Sequence, residues 1–164
     1  MKVIATTCLL LVSISAWCQS GLPAWAFKKF EQFSDKYVLS DYIKPQFLEA
    51  DLSGDKKPDV AILIERKVDK KKGVLILFSG VDKSFVAGAG EPLGNAGNDF
   101  EWAHRWNVFQ ENTTHQTVFK SNGDVAGAKE VKLDRPAIEI TEEEGAGGLI
   151  YFNGKQFIWI HQAD

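Results

Sequence analysis

Cysteine is nearly absent from the chain: Cys8 and Cys18 are the only two in 164 residues. Both fall in an N-terminal stretch that has the composition of a removable leader. Disulfides are therefore not expected to hold the remainder together, and thiolate metal sites and cysteine nucleophiles are excluded from it. Basic residues are also in deficit, with 19 Lys and Arg against 22 Asp and Glu and a formal net charge of −3. That balance argues against nucleic acid as a partner. No apolar run after residue 20 is long enough to span a membrane. There is no Gly-x-Ser-x-Gly nucleophile elbow, no Gly-Lys-Ser/Thr phosphate loop, and no strand–glycine–helix context for a dinucleotide.

Residues 1–20 open with Lys2, continue as an apolar stretch from Val3 to Ile14 and close in small residues. This is the pattern of a secretory signal peptide, with cleavage after Cys18 leaving Gln19 first. A lipoprotein would carry its acyl chain on Cys18, but the bulky Trp17 before it makes a poor lipobox. Simple secretion, to the periplasm or beyond, is the expectation. The remaining chain of about 145 residues carries 18 basic and 22 acidic side chains, a net charge of −4. It is long enough for one core and short for two domains.

Residues 22–33 read as a short helix, with Pro23 suited to its first turn. Ala26, Phe30 and Phe33 fall at i, i+4 and i+7, with Phe27 widening the stripe. Lys28 and Lys29 are its only cations, so packing on a sheet is favoured over a membrane surface. Strands follow at 44–50, 59–67, 74–78 and 84–87, an antiparallel meander like one propeller blade. The continuous apolar runs at 60–64 and 74–78 suit central strands covered on both faces. A propeller needs at least about four blades and this chain has one such meander. The fold expected is thus a single α+β domain, a mostly antiparallel sheet with the helix packed on it. It ends in a hairpin, residues 149–152 and 156–160 around Asn153-Gly154, read as a type I′ turn because both residues tolerate positive φ.

The stretch with the most specific chemistry is Asp51-Leu52-Ser53-Gly54-Asp55-Lys56-Lys57-Pro58-Asp59. Asp51, Ser53, Asp55 and Asp59 stand at positions 1, 3, 5 and 9, and Lys57 at position 7 can offer its backbone carbonyl. An all-oxygen set of this kind suits Ca²⁺, which takes six to eight oxygen ligands, better than Mg²⁺, which keeps its waters. Three carboxylates within nine residues repel one another unless a cation or protonation relieves them. The alternative is a solvated, Asp-rich turn joining two strands. An EF-hand is disfavoured, because its position 12 would be Ile62, inside a strand rather than a helix.

The run Ala50-Asp51-Leu52-Ser53-Gly54-Asp55-Lys56-Lys57-Pro58-Asp59-Val60-Ala61-Ile62-Leu63 resembles the FG-GAP/VCBS-type calcium-binding repeat of integrin-like β-propellers and many secreted bacterial proteins. The chain as a whole is similar to small secreted proteins of Bacteroidetes-type bacteria. The resemblance implies side-chain ligation by Asp51, Ser53, Asp55 and Asp59, and carbonyl ligation by Lys57. The pattern departs from the family at Lys56, where glycine is usual. Positive φ can be required there, and the ammonium adds like charge near the metal. Weak affinity is expected, on the order of 10⁻⁴ M.

A long Gly- and Asn-rich loop, 88–99, leads directly into Asp99, Glu101, Trp102, His104 and Trp106. Long loops of this kind are often functional, and Trp beside acidic groups suits sugar or peptide recognition. Alternating Trp102, His104 and Trp106 also fit one face of a strand. Glu101 and His104 have a Glu-x-x-His spacing with no second copy, which argues against a bundle-type metal site. His115 is expected in a polar turn, 121–124 in a second turn, Glu142-Glu143-Glu144 on a solvated face, and His161 at a rim. Three functions remain open. The first is a non-catalytic module with a structural calcium site, binding a protein or glycan at the cell envelope. The others are a small envelope hydrolase built on Asp99, Glu101 and His104, and an enzyme inhibitor, both using residues 88–106.

Overall fold

The computed structural model describes residues 21–162; the leader expected at 1–18 lies outside them. The first element is α1 (Ala24–Phe30), tightening into a 3₁₀ turn at Glu31–Phe33, with Pro23 at its start. Ala26 and Phe30 are buried, whereas Phe27 remains 37% exposed and does not widen the stripe.

The first sheet contains β1 (Tyr37–Leu39), β2 (Phe47–Ala50), β3 (Asp59–Arg66), β4 (Lys72–Leu77) and β5 (Ser84–Gly88). Strands β2 to β5 form the expected antiparallel meander, and β1 pairs with β3 beyond the end of β2. The second sheet begins at β6 (Arg105–Phe109). After β7 (Thr113–Phe119) and β8 (Val125–Lys132), which pair only with each other, it continues in β9 (Ala137–Thr141), β10 (Gly147–Phe152) and β11 (Phe157–Gln162). Its order is β11-β10-β9-β6, again antiparallel. The molecule is a mostly antiparallel α+β fold. The meander and the C-terminal hairpin, expected in one sheet, stand in two stacked sheets.

Alternation along β3 explains the layers. Ala61 and Leu63 join Val74 and Ile76 against Trp106, Ile138, Ile140 and Ile150 of the second sheet. Val60, Ile62 and Ile64 point the other way, with Leu75 and Leu77, under Ala26 and Phe30 of α1. A strand covered on both faces must be apolar at every position, and residues 60–64 are all fully buried. At roughly 1.5–3 kcal/mol for each buried aliphatic side chain, this double coverage is what holds the sheets together. On the far face of the second sheet a smaller cluster forms from Leu133, Ala137, Leu149, Tyr151 and Ile160.

Two local expectations are corrected. The C-terminal hairpin turns through four residues: Phe152 pairs with Phe157, and the Asn153 amide donates to the Gln156 carbonyl. Asn153 accepts the amides of Lys155 and Gln156 on its side chain, so only Gly154 needs positive φ. His115 lies in β7 opposite Glu130, not in a turn. The β7–β8 ribbon packs little on either face, so it lacks the apolar periodicity by which strands are recognised,. Its connection at 121–124 is the expected turn, with Gly123 at positive φ.

Candidate metal centre

The acidic stretch connects β2 to β3 and is closed by the pair Ala50 and Asp59. Leu52 anchors it, fully buried in the core between the sheets. Its carboxylates wind the backbone. Asp51 Oδ1 accepts the Gly54 amide at 2.7 Å and Oδ2 accepts the Lys56 amide at 2.9 Å. Asp55 Oδ1 accepts the Lys57 amide at 2.9 Å, in the exposed half of the loop. Asp59 is wholly buried; Oδ2 accepts the Ser53 amide at 2.8 Å, and Oδ1 accepts the Ser79 amide at 3.1 Å from the turn after β4. Burial pushes the Asp59 carboxyl above its ordinary value, and the Asp55 charge adds to that, while the Ser79 and Ser53 amides oppose it,.

One feature marks the winding as demanding. Lys56 sits at φ 67°, the left-handed region where glycine is the easy choice,. The Ser53 hydroxyl is buried beside the Asp59 carboxylate and favours its charged form,. Arg135, just before β9, covers the back of the loop. Its Nη1 donates to the Ser53 carbonyl and its guanidinium lies 5.6 Å from the centre of the Phe152 ring. A Cβ on Gly54 would lie 3.0 Å from Arg135 Cζ, so glycine is what admits the guanidinium. The Asp55 carboxylate leans over Gly80, whose Cβ would lie 2.6 Å from its Oδ2.

Within the loop Asp59 is joined to Ser53, Asp51 holds the Gly54 and Lys56 amides, and Asp55 and Lys57 lie on the exposed side. Among the described residues no three carboxylate, imidazole or thiol groups stand close enough together to hold a metal ion. The donor set is nevertheless all oxygen, and a carboxylate oxygen that accepts one amide keeps a lone pair for a cation. The chemistry of the residues fits Ca²⁺.

The second candidate cluster is dispersed. Asp99 Oδ1 accepts the amides of Lys72 and Glu101, as a turn residue does. Glu101 pairs with Lys72 Nζ at 3.2 Å on the surface, and His104 is exposed just before β6. Trp106 is buried and donates from Nε1 to the Pro45 carbonyl at 2.6 Å, while Trp102 packs on the core from a turn. Of these residues Trp102 lines a cavity that Glu142 and Trp159 also line.

No protein-family model matches the chain, and neither does any curated protein or solved structure. The resemblance to the calcium-binding repeat therefore rests on residues 50–63 alone. Among the described residues no helix is long and apolar enough to cross a membrane. Arg135 and Ser79 escaped the sequence reading: each acts by tertiary contact from 20 or more residues away, and neither sits in a periodic pattern.

Proposed function

We propose that the chain is an exported, non-catalytic module that binds a protein or glycan at the cell envelope, with one Ca²⁺ fastening its acidic loop. The ligands are Asp51, Ser53, Asp55, the Lys57 carbonyl and Asp59, and binding would draw together three carboxylates that are not grouped in this structure. The observation that carries this reading is the backbone of Lys56. A lysine held at φ 67° costs of order 1 kcal/mol or more, and it stands where the calcium repeat has glycine,.

Bound calcium supplies charge neutralisation among three carboxylates and no reaction chemistry. Asp59 and Leu52 tie the loop to both sheets, so fixing the loop fixes the end of the sandwich. A site built from carboxylate, hydroxyl and carbonyl oxygens with water completing the shell, and with no further acid, base or nucleophile beside it among the described residues, favours a structural role over a catalytic one. The test is native mass spectrometry of the exported chain after equilibration with calcium. One calcium per chain is expected for the wild type, and loss of that increment in Asp51→Ala. A wild type that carries no calcium would leave the acidic stretch a solvated turn.

A further inference from the structure

A cavity of about 320 Å³ opens between the 3₁₀ turn Gly94–Ala96, the turn after β9 and the end of β11. It lies apart from the acidic loop and uses none of its residues. Trp102 and Trp159 form its wall, their ring centres 6.1 Å apart and their planes at 76°. Two indoles at nearly a right angle make a corner. Both are braced from behind by Phe100, at 5.8 Å and 6.5 Å.

Trp159 is seated by glycine. A Cβ on Gly148 would fall 2.5 Å from Trp159 Cζ2, and Gly94, at φ 53°, lets the turn pass over Trp159 Cβ. Its Nε1–H faces His161 Nδ1 at 3.4 Å, and His161 leans on Phe119 at 5.2 Å between ring centres. At the mouth, Arg105 Nη2 donates to the backbone carbonyls of Glu142 and Glu143, which fixes the turn and leaves the Glu142 carboxylate without a bond or ion pair. Glu142 and Asn95 line the cavity, and no Lys or Arg does.

We propose that this corner binds a compact organic ammonium group, alkylated or methylated. An indole face attracts a cation more strongly than any other side-chain ring, and a nearby carboxylate adds Coulomb attraction. An anion would meet the Glu142 side chain inside the cavity, while the Arg105 guanidinium at the mouth is turned to the Glu142 and Glu143 carbonyls. A pyranose ring stacks best on one broad, open indole face, yet Trp159 is only 8% exposed and Trp102 is half-buried. Two narrow strips at right angles enclose a rounded group instead.

The full chain, labelled with ¹⁵N, is titrated with tetramethylammonium chloride, with sodium chloride at equal ionic strength, and with methyl glucoside. Saturable shifts of the Trp102 and Trp159 indole N–H signals are expected with tetramethylammonium alone. Glu142→Gln, on an exposed side chain, should weaken binding about tenfold with an unchanged fold by circular dichroism. Trp102→Phe should retain weaker binding. Shifts equal to those in sodium chloride, saturation by the glucoside instead, or undiminished affinity in Glu142→Gln would each overturn the assignment.

Discussion

Asp59 accepts the amide of Ser53 at 2.8 Å, so the last residue of the acidic stretch closes the loop onto its third. Its other oxygen takes the Ser79 amide, and the carboxylate is wholly buried. Asp59 therefore organises the loop whether or not a cation is present. Removing it should be costly in chelator: Asp59→Ala orphans two amides, at about 1–3 kcal/mol each. Asp55 holds one amide on the exposed side, so Asp55→Ala should cost under about 1 kcal/mol in chelator. Urea denaturation of both variants checks this ordering.

Lys56→Gly should have opposed small effects on the apo protein. Relief of the left-handed backbone gains about 1–2 kcal/mol, while the freer unfolded glycine costs about 0.5–1 kcal/mol. The net gain is between about 0 and about 1.5 kcal/mol. The same change removes a like charge beside the loop, and calcium affinity measured by calorimetry should rise on the order of tenfold.

Gly148→Ala has no such compensation. The added methyl would lie 2.5 Å from both the Ile160 carbonyl oxygen and Trp159 Cζ2. A backbone carbonyl cannot swing aside as a flexible side chain does. A loss of about 1–3 kcal/mol is expected from overpacking, with displaced Trp159 indole signals.

The turn after β3 gives a pH dependence. Arg66 donates to both carboxylate oxygens of Asp69, and this guanidinium holds the Asp69 carboxyl below its ordinary value of 3.8. A carboxyl depressed in the folded state adds stability above that ordinary value and loses it as pH falls through the depressed one. Both side chains are partly solvated, so the effect is small,. Asp69→Asn should melt slightly lower at pH 7, and the gap should close on acidification through the midpoint of the Asp69 carboxyl, read by NMR.

The parts of the fold legible in the sequence were those whose chemistry is local. Continuous apolar runs at 60–64 and 74–78 announced doubly covered strands, and Lys56 at a glycine position announced positive φ. The division into two sheets was hidden, because β3 and β10 are both apolar and antiparallel and nothing in their residues says whether they pair or stack. The turn type after Phe152 was misjudged because the Asn153 side chain caps two amides instead of Asn153 adopting positive φ. Arg135 was invisible, since its role comes from lying against Ser53, 82 residues earlier in the chain. The aromatic corner was equally so, assembled from Trp102, Glu142 and Trp159 on three separate segments.

Thermal unfolding of the wild type and Asp55→Ala, each in millimolar calcium and in excess chelator, tests the central claim most directly. With Kd on the order of 10⁻⁴ M, millimolar calcium adds about 1.4 kcal/mol to the folded state, a rise of about 4 °C in a domain of this size. The wild type should show that rise and Asp55→Ala should lose most of it, the two melting close together in chelator. Wild-type curves that superimpose with and without calcium would contradict the account.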